Sequence, residues 1–205
     1  FIHYLLENVN RDVCERGGYG EVDKPALRQL VHHYVDLYAQ TMIDGYDQKG
    51  ARFRYLFSRL RETACAIVEN IADEMAVSDF RPIAFELGFG GKDGQLPAIT
   101  VTEGSTALSV RGKVDRVDGW IKDGKLYLRV VDYKTGQKAF DLSDVRYGLG
   151  IQMLLYLFAL QKEGSGYFGM PVVPAGVLYT PAREIISRED RSILLETSSN
   201  RMQLN

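Results

Sequence analysis

Cysteine is scarce. Two thiols, Cys14 and Cys65, in 205 residues cannot build a disulfide scaffold or, by themselves, a four-cysteine metal site. They read as reduced thiols of a cytoplasmic protein. Long apolar runs are missing too. Nothing approaches the roughly 18–20 residues that a membrane-spanning helix needs, and no basic-then-apolar leader with a small-residue cleavage site is visible. Charge of one sign is not in excess. With 25 Lys and Arg against 27 Asp and Glu, the net charge is −2. That argues against an autonomous basic nucleic-acid binder, whose affinity would come from neutralising phosphates. It leaves room for one local contact, or for delivery to nucleic acid by a larger assembly. No strand runs into a glycine-rich turn with GK[ST], so Gly148-x-Gly150 is not a phosphate loop and the chain has no ATP site of its own. Repeats and low-complexity tracts are absent. What is there is ordinary for a folded protein, with 45% hydrophobic and 25% charged residues. The length fits one domain with a core of useful size. The chain opens at Phe1 inside an apolar pattern, which reads as a piece excised from something longer.

The first 80 residues carry helical periodicity. Ile2, Leu5, Leu6 and Val9 make a stripe from Phe1 to about Val13, broken at Gly17-Gly18-Tyr19-Gly20. Asp23-Lys24-Pro25 opens a second helix to about Ile43, with proline in the first turn. A third, from about Lys49 to Ala76, repeats Phe53, Leu56, Phe57, Leu60, Ala64, Ile67, Val68 and Ile71. The pattern then switches to strands at Pro82–Phe89, near Ile99–Val101, from about Ala107 to Ile121, and from about Lys125 to Tyr133. Asp123-Gly124 between the last two is a hairpin signal. A helix near Tyr147–Gln161 and a strand at Val172–Tyr179 follow. This predicts an α/β or α+β sandwich around a mixed sheet. Its parts are a mainly helical 1–80, a sheet core with a helix at 81–180, and a charged segment at 181–205.

The hairpin brings chemistry together. With a two-residue turn, Lys122 faces Lys125, and pairing proceeds outward through Val117 with Val130 to Asp115 with Asp132 and Lys113 with Lys134. Two carboxylates then stand opposed, their Cβ atoms about 4.5–5.5 Å apart. Lys134 shares the face of Asp132 because side chains alternate with period two. Opposed like charges destabilise a sheet and push one carboxyl toward its neutral form. A bound hard cation such as Mg²⁺, held by two carboxylates, a backbone carbonyl and water, resolves the conflict. A lysine two residues on adds a positive charge or a proton donor. That is equipment for hydrolysing a phosphodiester. The bland alternative is a solvated surface hairpin. The apolar strand before Asp132 and the apolar helix after it put the pair at the edge of a core instead. Asp118 has the wrong parity for Asp115's face and pairs with Arg116 or solvent. Gln152 sits in an apolar run, where its amide either caps a backbone group or faces the site. His32 and His33 are adjacent, point apart on a helix, and read as structural. Arg52, Arg54, Arg59 and Arg61 form either a solvated face or a track for DNA or a protein partner.

Three motifs in order resemble a known family. Gly112-Lys113-Val114-Asp115-Arg116-Val117-Asp118, Val131-Asp132-Tyr133-Lys134-Thr135-Gly136 and Gln152-x-x-x-Tyr156 look like the RecB-family nuclease domain of the PD-(D/E)XK superfamily. The segment Phe1-Ile2-His3-Tyr4-Leu5-Leu6-Glu7 resembles that family's upstream helix with its metal-binding histidine. The long helical insertion, Arg81–Phe89 and Pro174-Ala175-Gly176-Val177-Leu178-Tyr179 are similar to the AddB (RexB) component of AddAB (RexAB) helicase–nucleases.

The resemblance implies a restriction-endonuclease-like fold, with a mixed central sheet flanked by helices and an N-terminal helical extension. It implies that His3, Asp115, Asp132 and the Tyr133 carbonyl bind Mg²⁺ or Mn²⁺, that Lys134 is the catalytic lysine, and that Gln152 and Tyr156 position DNA or the lysine. Glu86, in the strand before the hairpin, is a further candidate. It also implies a DNA exonuclease fed single strands by an AddA-like helicase–nuclease partner during double-strand-break repair. Full-length members hold a 4Fe–4S cluster on four cysteines, and neither Cys14 nor Cys65 sits in such a spacing. The alternatives are another RecB-like nuclease of the Cas4 type, and a catalytically dead nuclease fold that binds DNA or acts as a scaffold.

Overall fold

The computed structural model describes residues 1–42, 49–92, 94–134 and 151–182. Three helices come first: α1 (Ile2–Glu15), α2 (Lys24–Met42) and α3 (Ala51–Ala76). Each follows its apolar stripe. Helix α1 buries Ile2, Leu5, Leu6, Val9 and Val13, and α2 starts beside Pro25, where the Asp23 carboxylate accepts the Ala26 N–H at 2.8 Å. Strands β1 (Arg81–Phe89), β2 (Ile99–Glu103), β3 (Thr106–Val110), β4 (Gly112–Lys122) and β5 (Lys125–Lys134) follow, then α4 (Gln152–Phe168) and β6 (Val172–Pro181). The segments expected at 135–150 and 183–205 lie outside the described residues, as does the end of the second helix at Ile43.

The main sheet runs β1-β4-β5-β6. β1 with β4 and β4 with β5 are antiparallel, and β5 with β6 is parallel, which makes the mixed sheet expected. A parallel pair needs a crossover, and α4 lies in it. Helices α1–α3 cover one face and bury Val131 and Tyr133 against their own apolar sides. Helix α4 covers the other, over Val117, Leu126, Leu128 and Val130. The Asp123-Gly124 turn forms with both residues at positive φ, 51° and 70°, the geometry of a type I′ hairpin.

One expectation needs correcting. The stretch read as a single strand from Ala107 to Ile121 is two strands broken at Arg111. The partner β1 ends at Phe89, which pairs Gly112, so residues before Gly112 have no main-sheet neighbour. They pair with β2 in a separate two-stranded sheet instead.

Candidate active site

The hairpin register is the one expected from Lys122↔Lys125 to Arg116↔Val131, where the paired residues end. Asp115 and Asp132 come next in line but do not continue the ladder. The Asp115 carboxylate enters the gap instead, its Oδ2 accepting the Tyr133 backbone N–H at 2.8 Å. Lys113, expected opposite Lys134, pairs Gly88 of β1, and its ammonium lies 3.2 Å from Glu86.

A second irregularity shapes the site. On β4, Val117 and Val114 both lie in the core under α4, and on β1 so do Ala84 and Leu87. Residues three apart on a regular strand face opposite sides, so each strand changes parity in between. On β1 the change coincides with Glu86, whose φ is +49°. That is left-handed backbone, which costs a residue with a Cβ about 1–2 kcal/mol. Phe85 pairs Arg116 and Leu87 pairs Val114, so Glu86 and Asp115 stand at the missing rung between them. Strain of this kind gathers at functional sites.

The result is a convergence of three elements. His3 of α1, Glu86 of β1 and Asp115 of β4 each offer a ligand atom, and these atoms all lie within 4.8 Å of one another. His3 Nδ1 is 3.1 Å from Asp115 Oδ1. Burial pushes the Asp115 carboxyl above the usual carboxylate range. The Tyr133 N–H and His3 pull it back, and Asp132 raises it further. Asp132 and Lys134 form the adjoining pair. Lys134 Nζ sits 2.5 Å from Asp132 Oδ2, a close ion pair. The Lys134 ammonium also lies 5.3 Å from the centre of the Tyr179 ring. Burial raises the Tyr179 phenol above its ordinary range.

Gln152 and Tyr156 interact with each other, the amide donating to the phenolic oxygen at 2.6 Å. Tyr156 is buried, stacked on Phe89 with centroids 5.2 Å apart and planes 7° from parallel. It lies directly over Gly112, where a Cβ would overlap its hydroxyl. The pair thus braces the end of β1 and β4, three residues along from Glu86 and Asp115.

The pairing of Asp118 with Arg116 is one of the two expected, but sequence reasoning missed the buried network it belongs to. Asp118 and Arg116 are both fully buried, so the solvent option for Asp118 is excluded. The Arg116 guanidinium grips Asp118 through Nε at 2.7 Å and Nη2 at 3.0 Å, and Nη1 donates to the Tyr133 hydroxyl at 3.0 Å. Asn10 of α1 reaches the same hydroxyl at 3.4 Å and accepts from Tyr19 at 2.7 Å. Arg129 joins Asp118 at 2.9 Å and also Glu74 of α3. Burial pushes the Tyr133 phenol up to about 12. The signal available in the sequence was two opposite charges with one valine between them inside an otherwise apolar strand.

Cys14 and Cys65 are both free. Among the described residues no helix is long and apolar enough to cross a membrane.

The model of the PD-(D/E)XK nuclease superfamily matches residues 1–203. The B subunit of an ATP-dependent helicase/deoxyribonuclease from Acetivibrio thermocellus is 36% identical over 87% of this chain and 16% of its own length. The proteins of the same name from Caldanaerobacter subterraneus and Pelotomaculum thermopropionicum are each 34% identical, over 94% and 87% of this chain. The chain spans about a sixth of the length of these curated relatives, 16% to 17%. With a mixed sheet between helices, an N-terminal helix bearing His3, and a match along nearly its whole length, the chain belongs to the PD-(D/E)XK nuclease superfamily.

Proposed function

We propose that this chain is a metal-dependent deoxyribonuclease that hydrolyses phosphodiester bonds in DNA with Mg²⁺ or Mn²⁺. The observation that carries the reading is the convergence of His3, Glu86 and Asp115 from three separate elements, with Asp132 and Lys134 beside them. The donor set fits a divalent cation. It has two carboxylates and one imidazole, and the Asp115 carboxyl is pushed up by burial and further by the nearby Asp132 charge. His3, Asp115, Asp132 and the Tyr133 carbonyl would hold the ion, and Glu86 would join them. A bound cation of this kind supplies Lewis acidity at a phosphoryl oxygen and lowers the pKa of water.

The remaining work falls to side chains of this chain. Lys134 carries positive charge next to Asp132, where it orients the attacking water and offsets charge developing on the phosphate. Asp132 keeps that ammonium in place. Tyr133 holds Asp115 through its N–H. Gln152 and Tyr156 keep the β1–β4 end in register and present the Gln152 amide, which is exposed, toward a DNA backbone.

The names of the relatives extend the reading. Each is the B subunit of an ATP-dependent helicase/deoxyribonuclease. On that basis the chain works as an exonuclease in a cytoplasmic helicase–nuclease, beside an AddA-like partner that feeds it single strands. The setting is the resection of broken ends for recombinational repair. A net charge of −2 accords with a nuclease delivered to its substrate by a motor rather than by its own attraction for phosphates.

The test is cleavage of end-labelled single-stranded DNA with Mg²⁺ or Mn²⁺, beside Asp132→Ala and Lys134→Ala. Metal-dependent cleavage lost in both variants is the expected result. Metal-independent cleavage, or full activity in either variant, refutes the assignment.

A further inference from the structure

We propose that Tyr133 is a positioning residue whose buried hydroxyl, held by Arg116 and Asn10, sets the placement of Asp115 relative to Asp132 and Lys134. The inference rests on the reading of the site as a metal-dependent nuclease centre. It goes beyond that reading in giving the Tyr133 side chain, rather than its backbone carbonyl, a part in metal affinity.

Tyr133 adjoins four members of the site: His3, Asp115, Asp132 and Lys134. It lies between Asp132 and Lys134 in the chain. Its N–H donates to Asp115 Oδ2 at 2.8 Å, and its ring meets the His3 imidazole edge-on, with centroids 6.3 Å apart. Its ring lies on the α1–α3 side of the sheet, and there the hydroxyl receives Arg116 Nη1 at 3.0 Å and Asn10 Nδ2 at 3.4 Å.

That anchor is built to be stiff. Arg116 and Asp118 are fully buried and bonded through two parallel contacts, which fix a planar guanidinium better than one contact does. Asn10 belongs to α1, the helix that carries His3, and Arg129 links Asp118 onward to Glu74 of α3. Three elements therefore meet at the phenol, α1, β4 and β5, and the network behind it extends to α3. Two guanidiniums, Arg116 and Arg129, stand against two carboxylates, Asp118 and Glu74. The network is electrically balanced, so it acts on the site by fixing geometry rather than by imposing a field.

A fixed Tyr133 matters because the β4–β5 ladder has ended at Arg116↔Val131. Past that point no continuing rung holds Asp115 against β5. The Tyr133 N–H takes over; the β6 ladder, which runs on through Tyr133↔Thr180, holds its backbone on one side, and the buried anchor holds its side chain. Partners that orient metal-binding groups typically alter metal affinity 10–100-fold when they are removed.

The experiment is Tyr133→Phe in the intact protein, which deletes one oxygen and keeps the ring. Tyr19→Phe is the control. Its hydroxyl is buried in the same network and, among the described residues, donates to Asn10 and not to the Tyr133 phenol. Mn²⁺ binding is followed by electron paramagnetic resonance, and DNA cleavage is measured across a Mn²⁺ titration. Tyr133→Phe is expected to weaken Mn²⁺ binding and to raise the half-saturating Mn²⁺ concentration by about 10-fold, with cleavage at saturating Mn²⁺ reduced much less. Tyr19→Phe is expected to lower the thermal midpoint without moving the Mn²⁺ dependence. If Tyr133→Phe changes the thermal midpoint alone and leaves Mn²⁺ binding at the wild-type value, the hydroxyl is merely structural and the inference falls. If the wild-type protein itself binds no Mn²⁺, the reading of the site falls with it, and the wild-type titration tells the two failures apart.

Discussion

The brace between Gly112 and Tyr156 makes a sharp prediction. In Gly112→Ala the new Cβ would overlap the Tyr156 hydroxyl and lie 2.7 Å from Cζ and 3.0 Å from Cε1. Separations this short cannot persist, so the ring or the strand must move. The ring has little freedom, being 1% exposed and stacked on Phe89. The strand is held by the Phe89↔Gly112 pair. Overpacking of a core costs about 1–3 kcal/mol. Replacing a strand glycine by alanine returns about 0.5–1 kcal/mol of backbone entropy. With the higher end of the first range apt for a clash against a ring, the net loss is about 2 kcal/mol. For a chain of this size that lowers the thermal midpoint by about 4–8 °C. The double variant Gly112→Ala/Tyr156→Phe removes the atom in deepest conflict but leaves the two ring carbons, so it should recover part of the loss. Tyr156→Phe alone should cost about 0.5–1.5 kcal/mol for the Gln152 hydrogen bond. Thermal unfolding monitored by circular dichroism on all four proteins completes the cycle. An unchanged or raised midpoint in Gly112→Ala, or strictly additive losses in the double variant, would refute the placement of Tyr156 over Gly112.

Three further outcomes follow from other parts of the structure. Asp118→Ala leaves the buried Arg116 without its carboxylate and should destabilise by about 3–5 kcal/mol, read from urea unfolding; a loss under about 1 kcal/mol, the range of an exposed pair, would contradict its burial. Glu86→Gly relieves the left-handed backbone at φ +49° and should stabilise the metal-free protein by about 1 kcal/mol while DNA cleavage collapses, and a destabilised variant with full activity would count against both claims. Burial raises the Cys65 thiol to about 11 and the Cys14 thiol above its ordinary value. The reactive thiolate is therefore scarce in the folded state at pH 8, and a disulfide reagent should label both only on unfolding. Because a raised thiol pKa favours the protonated folded form, any stability it lends is present below the unfolded thiol value near 8.5 and is lost as pH climbs toward 11.

The legible parts of this molecule are those set by period and local turn chemistry. The α1 stripe, the proline at the start of α2, and the Asp123-Gly124 turn each depend on a few neighbouring residues, and the hairpin register follows from the turn alone as far as Arg116↔Val131. What was not legible depends on residues far apart in the chain. The rung at which β4 leaves β5 depends on whether a side-chain carboxylate can serve a backbone N–H better than a carbonyl does, and on where α1 brings His3. Glu86 gave no signal in its own strand, because its relation to Asp115 exists only through pairing 29 positions later and through a backbone angle that no strand pattern announces. The same holds for Arg116. Its motif marks it as a neighbour of Asp115, yet its partners come from three elements under the sheet's helical face: Tyr133 from β5, Asp118 from its own strand and Glu74 from α3. Alternation places Arg116 on the opposite side from a regular Asp115, and a regular strand would have kept network and site apart. The parity change between Val114 and Val117 lets the Asp115 carboxylate meet the Tyr133 N–H while Arg116 holds the hydroxyl of the same residue. The departure from regular strand geometry is therefore the feature that joins the buried anchor to the carboxylates, and it is the part of the site that a pattern of residues read along one strand does not contain.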